Sequence, residues 1–476
     1  MGRQRVSDVL FTGVRLIDPA DGTDHLGELL VRDGRIADVG AGPGAGLGRP
    51  EGAQVVDGTD CVLCPGLVDM RAALGEPGRE YRETIASAAE AAAAGGITML
   101  AALPDTRPAI DDPALVRLLR ARGEETGSLT ILPYGALTAG CRGEQLAELG
   151  LLREAGAVAF TDGMRAIGSA RLMRLALSYA HGFGVRVVVH PEEPALAAGG
   201  AATEGELATR LGLPAIPAAA EAILVARDIR LAQLTGGALH VAHVSTAEAI
   251  ALIRRAKDEG VDVTCDTAPP YFDLNETAIG DFRSYAKLSP PLRPESDRLA
   301  VAAALCDGTI DAIASDHQPR DADDKRLPFA QASPGGSGLA TLLAVSLAQV
   351  HGGSLGLAQA VALLTARPAA VLGVEAGTLR RGAAADLCLF HPERAWKVMA
   401  GRLAGKAQNT PFDGRALEGR VFGTWKAGRL VFAHPGGPAS GAAAFPAAGL
   451  RVVAQAEARG APDGAEGPDG AAEIGL

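Results

Sequence analysis

Residues 237–267 read GALHVAHVSTAEAIALIRRAKDEGVDVTCDT and contain one complete structural unit. The apolar run 237–243 has the length of a buried strand. Ser245-Thr246-Ala247-Glu248 has the spacing of a capping box, in which a hydroxyl and a carboxylate satisfy free N–H groups at the start of a helix. Gly260 can close that helix, because glycine adopts the left-handed conformation needed just past a C-terminus. A second apolar run, 262–267, follows at once. Strand, helix and strand joined this tightly make a parallel crossover, and strands that are apolar on both faces need cover on both sides.

The same alternation extends outward in both directions. Six further short apolar runs lie at 61–69, 96–103, 129–135, 157–161, 185–190 and 310–315, with Ala-rich amphipathic stretches between them. Asp112 before Pro113 marks another helix start, a side-chain cap followed by proline at the first helical position. Eight such strands predict an α/β fold, a (β/α)8 TIM-like barrel over residues 59–372. Two outer segments read differently. In 1–58, VLFTGVRLID and GELLVRDGRIADVG alternate as strands, with a hairpin signal at Asp33-Gly34. In 373–433, AADLCLF and GRVFGTWKAGRLVF do the same around Ala427-Gly428. Together the two are expected to form a small β-sandwich domain. Residues 434–476 are rich in Gly, Ala and Pro, the composition of a disordered tail.

Composition narrows the function classes. The chain has 476 residues, of which 47% are hydrophobic and 21% charged, as in well-packed globular proteins. Its 45 basic and 56 acidic residues give a net charge of −11, with no basic stripe interleaved with aromatics, so nucleic acid and anionic membranes are not expected partners. No apolar run reaches the ~18–20 residues of a membrane span and the N-terminus lacks a signal-peptide core, so the cytoplasm is the expected location. Six scattered cysteines, including the pair Cys61 and Cys64, read as small buried hydrophobes, since no second Cys/His pair follows at zinc spacing.

In such a barrel, chemistry gathers at the C-terminal ends of the strands. Asp162 ends the fourth predicted strand, His190 the fifth, His243 the sixth and Asp316 the eighth. Any one of them alone reads as a structural histidine or a helix cap. Two imidazoles and two carboxylates on one rim make a plausible divalent-metal set, since three protein ligands and a water suffice for catalytic zinc. Alternation along the strand puts His240 on the opposite side from His243.

The motifs now become specific. PGLVDMRAALGEPGREYRETI, LPDTRP, AVAFTDG, HPEE, HVST, AKLSPPLR, DGTIDAIASDHQP, LPFAQA, AGTLRRGAAADLCLFHPE and NTPFDGRALEGRVFGTWKAGRLVF occur in that order. Through them, nearly all of residues 7–433 resembles the amidohydrolase superfamily and, within it, the longer bacterial type of dihydroorotase. That resemblance implies reversible cyclisation of carbamoyl aspartate to dihydroorotate in pyrimidine synthesis. It also implies two metals, held by an H-x-H after strand 1, a bridging carboxylate after strand 4, one histidine each from strands 5 and 6, and an aspartate from strand 8. The metals polarise the amide carbonyl and acidify a bridging water, and the strand-8 aspartate, here Asp316, moves its proton.

Several positions depart from that pattern. Arg71 and Ala73 stand where the resemblance places the strand-1 histidines, and arginine has no lone pair for a metal. Gly75 and Asp105 replace the arginine and asparagine that grip the substrate carboxylate, exchanging attraction for like-charge repulsion. The bridging segment shortens to Thr161-Asp162-Gly163, a T-P-H-H element becomes Ala268-Pro269-Pro270-Tyr271, and a later histidine is Arg320.

Asp162, His190, His243 and Asp316 thus remain as metal positions, with Asp316 the retained base position and no substrate-binding residue carried over. The expected cofactor is no metal or one zinc ion, and not a two-metal centre. Three readings follow. The first is a dihydroorotase-like protein without dihydroorotase activity, an oligomer serving as a structural or assembly subunit for the aspartate carbamoyltransferase catalytic chain, with Arg71 supplying positive charge to Asp316 and Asp162. The second is a one-metal cyclic amidohydrolase with an altered substrate, held by His190, His243 and Asp162. The third is a dihydroorotase still active through other ligands. Residues 320–338, RDADDKRLPFAQASPGGSG, resemble the loop over the active site and have the composition of a mobile segment.

Overall fold

In a computed structural model the described residues are 8–42 and 44–439, so the tail expected from 434 onward lies, from residue 440, outside them. The outer segments combine into one eight-stranded sheet. Val9–Asp18, Thr23–Arg32 and Arg35–Ala41 run as an antiparallel meander, with Gln54–Asp57 and Val62–Pro65 parallel to the first strand. Val62–Pro65 in turn pairs with Leu387–Lys397, to which Ala416–Lys426 and Arg429–Ala433 are added. Both hairpin signals are hairpins: Asp33 and Gly34 have φ of 50° and 76°, Ala427 and Gly428 of 47° and 74°, as a type I′ turn requires.

The sheet curls over its own core. Ala416–Lys426 and Val9–Asp18 are three strand spacings apart, about 14 Å along a flat sheet. Phe11 and Trp425 nevertheless meet edge to face at 4.8 Å between centroids, so the sandwich layers belong to one continuous sheet. Cys64 lies opposite Cys388 across the strand pair, and all six cysteines are free.

The expected strand 61–69 divides at Gly66. Val62–Pro65 belongs to the outer sheet and Leu67–Ala72 to the barrel. A Cβ at Gly66 would lie 2.3 Å from Thr98 Oγ1, so only glycine allows the chain to pass between the two layers here.

Barrel strands follow at Ile97–Ala102, Thr130–Pro133 with Gly135–Ala136, Phe160–Thr161, Val187–Val189, Leu239–Val241, Val263–Thr267 and Ala312–Ile313. Tyr134 interrupts the third, but its N–H still donates to Ala102 O while Gly135 N–H donates to Ala159 O, so pairing passes through. Closure comes from a parallel bridge between Ala72 and His317, with Ala73 N–H donating to His317 O at 2.7 Å. Successive residues alternate between two apolar clusters. Val187, Val189, Leu239 and Val241 join the large core, while Val188, Ala242, Ala312 and Ala314 form an inner one with Ala369 and Leu372.

Helix caps fit their physics with one shift. Asp112 caps Pro113–Thr126 by accepting from Ala114 N–H. The cap of Ala247–Asp258 is Thr246 and not Ser245, because both Ser245 and Thr246 donate to the buried carboxylate of Glu221 and Thr246 still accepts from Ala249 N–H. Among the described residues no helix is long and apolar enough to cross a membrane.

One buried charge in this scaffold opposes folding at neutral pH. Asp228, in Ala219–Thr235, is fully buried; Arg227 donates to Oδ1, whereas Oδ2 has no hydrogen-bond partner among the described residues. Burial pushes its carboxyl up to about 6 despite Arg227. A raised acid pKa means the native state binds the extra proton, so this contribution to stability is lost as pH rises from about 4 through 6. Asp228→Asn is therefore expected to raise the unfolding temperature by a few degrees at pH 8, a gain of roughly 1–3 kcal/mol, and to lose that advantage near pH 4. A melt no higher than wild type at pH 8 refutes it.

Candidate active-site rim

Arg71 ends the first barrel strand and is 1% exposed. Its Nε donates to Asp316 Oδ1 at 2.9 Å, and its Nη2 to Gly163 O and to Met164 Sδ, each at 3.0 Å. Nη1 is buried without a hydrogen-bond partner among the described residues. The guanidinium thus spans the barrel mouth from strand 1 to the ends of strands 4 and 8. Burial raises the Asp316 carboxyl above its ordinary value, and Arg71 pulls against that shift.

His190 and His243 come together, Nδ1 of the first 3.1 Å from Nε2 of the second. Burial, with the charge of Arg71, holds His243 well below the ordinary imidazole value, so it is neutral at pH 7. His190 Nε2 lies 3.5 Å from Glu192 Oε2. Burial alone would raise Glu192, but the hydrogen bond and charge of His190 carry it below the usual range, so a carboxylate faces Nε2. The buried Nδ1 of His243 has no hydrogen-bond partner among the described residues.

Asp162 does not reach this pair. Both its oxygens accept from Thr138, Oδ1 from the backbone N–H at 2.8 Å and Oδ2 from the hydroxyl. Burial raises its pKa, and the Thr138 bonds oppose the rise. Arg71 therefore supplies charge to Asp316, as expected, and not to Asp162, whose partner is a neutral hydroxyl.

A family model described as dihydro-orotase-like matches residues 60–249. The dihydroorotase of Pelobacter propionicus is 46% identical over 425 residues, covering 89% of this chain and 99% of the relative. The chain belongs to the dihydroorotase-like family. The dihydroorotase of Anaeromyxobacter dehalogenans is 44% identical over 429 residues, 90% of this chain and 98% of its own. Among solved structures, the L-hydantoinase of Arthrobacter aurescens superposes with a TM-score of 0.79 at 25% identity, over 89% of this chain and 96% of that one. The dihydropyrimidinase of Brevibacillus agri shares the fold, with a TM-score of 0.76 at 22% identity over 90% and 95% of the two chains.

Dihydroorotase-like proteins are metal-dependent amidohydrolases, and the residues on this rim do not fit a two-metal centre. No group of three or more His, Cys, Asp or Glu side chains placed to hold a metal occurs among the described residues. The His190–His243 spacing of 3.1 Å is close to the ~3.3 Å between two nitrogens on one tetrahedral zinc with bonds near 2.05 Å. Among the described residues neither carboxylate completes the set, because Asp162 is held by Thr138 and Asp316 by Arg71.

Backbone hems in Gly75 on this rim. A Cβ on Gly75 would lie 2.2 Å from Glu83 O and 2.5 Å from Arg79 O, so an arginine cannot start from this position. The Asp105 carboxyl packs against Gly163. Burial lowers Arg320, with Asp105 among the charges opposing that shift, and its Nε donates to Pro334 O at 2.7 Å. Residues 320–338, expected to be mobile, are tied down. Lys325 Nζ donates to Ser284 O and Lys287 O, Asn409 Nδ2 to Gln318 O and Gly335 O, and Arg82 to Asp324.

Sequence reasoning missed the polar layer beneath the rim. Asp266 accepts from His243 N–H at 2.6 Å and faces His240 Nε2 at 2.9 Å; Asp69 accepts from Ser315; and His317 Nε2 meets Glu83 at 2.5 Å. An aspartate or histidine inside an apolar strand was the available signal. His240 does face away from Leu239 and Val241, alongside the inner-cluster residue Ala242. Parity fails at His243, which lies past the strand end with φ of 39°.

Arg71→Met should leave Asp316 buried without its cation, and breaking such a pair costs about 3–5 kcal/mol. The Asp316 carboxyl then rises further, so the loss is expected to be larger at pH 8 than at pH 5. Adding Asp316→Leu should recover much of it. Urea unfolding at both pH values checks this, and a single variant as stable as wild type would contradict it.

Proposed function

We propose that this dihydroorotase-like barrel does not catalyse dihydroorotate formation and acts as a structural or assembly subunit in pyrimidine synthesis. The observation that carries this reading is the Arg71–Asp316 ion pair at 2.9 Å, which engages the retained base position with a permanent cation. An aspartate in a buried ion pair with a permanently protonated group is a poor proton shuttle, because taking up a proton breaks the pair. Gly75 and Asp105 offer no grip for a carboxylate. The partner we propose is the aspartate carbamoyltransferase catalytic chain, in an oligomeric assembly, with the barrel retained for its surfaces.

A second reading, a working dihydroorotase, draws on the names of relatives that are 42–46% identical over nearly their whole length. In a one-metal form it also draws on the His190–His243 spacing. The decisive experiment purifies the full chain without added metal or chelator, measures zinc by mass spectrometry, and assays dihydroorotate hydrolysis before and after adding zinc. We expect substoichiometric zinc, no turnover in either case, and co-purification of the carbamoyltransferase when the two are co-expressed. Turnover abolished by His243→Ala, or growth of a strain lacking dihydroorotase, would establish the second reading instead.

A further inference from the structure

Helices Ala170–His181 and Ala219–Thr235 pack side by side on the barrel exterior. Arg227 Nη1 donates to Gly168 O near the start of the first, and Gly236 sits against the His181 ring at its end, so the two run parallel. Their outward face is unusual in two respects.

First, it is apolar. Leu175, Tyr179 and Phe183 recur every fourth residue at 41%, 39% and 43% exposure, with Leu234 at 67% on the second helix. The Tyr179 and Phe183 rings meet edge to face at 5.3 Å. Phe183 also lies against Gly150, which brings Leu151, 52% exposed, into the same patch. Exposed apolar side chains gathered in this way mark interaction surfaces.

Second, it is basic on an acidic protein. Arg171, Arg174 and Arg230 are exposed, with Arg227 half-buried among them. The first helix contains no acidic residue, and both carboxylates of the second, Glu221 and Asp228, are fully buried. Arg171 and Arg174 form no ion pair with the described residues; Arg230 has only Gln233, at 3.1 Å. Around Leu151 the helix Leu149–Ala155 adds exposed Arg153 and Glu154, with exposed Glu148 at its start. A chain of net charge −11 thus presents one face of aromatic and arginine side chains without exposed carboxylates on either helix.

We infer that this face docks a different protein chain through an acidic surface with an apolar centre. Tyr and Arg are the side chains that dominate interface energetics, and charge complementarity selects the partner. A second copy related by a two-fold axis through this face would bring two unpaired arginine clusters together with no exposed carboxylate on either helix to offset them, an arrangement that electrostatics disfavours. The inference deepens the assembly reading above and rests on it for the partner's identity alone.

The test offers the full chain to three probes. They are an immobilised amphipathic helical peptide of Glu and Leu, its Lys counterpart, and the carbamoyltransferase chain. Wild type should bind the acidic peptide in preference to the basic one and weaken with salt. The exposed-site variant Arg171→Glu/Arg174→Glu/Arg230→Glu should lose about tenfold or more in affinity for both the acidic peptide and the carbamoyltransferase while keeping the wild-type melt. Equal binding of variant and wild type to both would overturn the inference. So would a homodimer that the variant dissolves, or anionic vesicles bound in preference to the peptide. Failure of wild type with the carbamoyltransferase alone, the peptide result holding, would overturn the partner proposed above and leave the face assigned.

Discussion

A guanidinium cannot release its proton at any pH at which this protein folds, and in this barrel one sits at the end of the first strand. Arg71 must therefore be neutralised and hydrogen-bonded inside the rim. Asp316 provides the charge, and Gly163 O and Met164 Sδ provide further acceptors. Its positive field is one reason His243 stays neutral, and its bond to Asp316 fixes the residue that ends the eighth strand. The rim is thus organised around an internal cation that belongs to the chain. Each group it engages is a group no longer available to a metal.

The backbone around that cation keeps a geometry that ordinary strands avoid. His243 and Asp316, each just beyond a strand, have φ of 39° and 45°, in the left-handed region that costs a non-glycine residue about 1–2 kcal/mol. Such strain persists where surrounding bonds over-determine the conformation. At His243 the bond is the 2.6 Å contact from its N–H to Asp266; at Asp316 it is the Arg71 pair. The left-handed turns aim both side chains into the mouth. Here that aim ends in a histidine pair and an ion pair.

Most of the fold was legible because it follows from local rules. Two-faced apolar runs, Asp112 before proline, and Asp33-Gly34 and Ala427-Gly428 between strands each carry their own physical reason. The misplacements have a common cause in tertiary hydrogen bonds. Ser245 reads as a cap but is drawn to Glu221, and 61–69 reads as one strand but changes sheet at Gly66, where Thr98 leaves no room for a side chain. On the rim, the residues at strand ends were legible, and so was the charge that Arg71 brings to Asp316. What each carboxylate holds was not, since Thr138 and Asp162 are 24 residues apart and nothing in either local sequence announces the pair. Nor did the charges and glycines of 320–338 reveal that Asn409 would bind its backbone.

The mouth and the exterior differ in whether their charged groups are buried or in water. Under the 320–338 loop, Lys325 and Lys287 are buried cations, yet both donate to backbone carbonyls, and burial brings Lys325 down to about 7, which reduces the charge that must be solvated. Gly75 is enclosed by carbonyl groups and Asp162 is held by Thr138. These groups at the mouth are answered from within the chain, while Arg71 Nη1 and His243 Nδ1 stay buried without a hydrogen-bond partner among the described residues. On the outer face, Arg171 and Arg174 have no counter-charge among the described residues, and the aromatic side chains beside them remain in water. Binding energy is available where groups are exposed and unpaired, and a surface of that kind gains by meeting its complement.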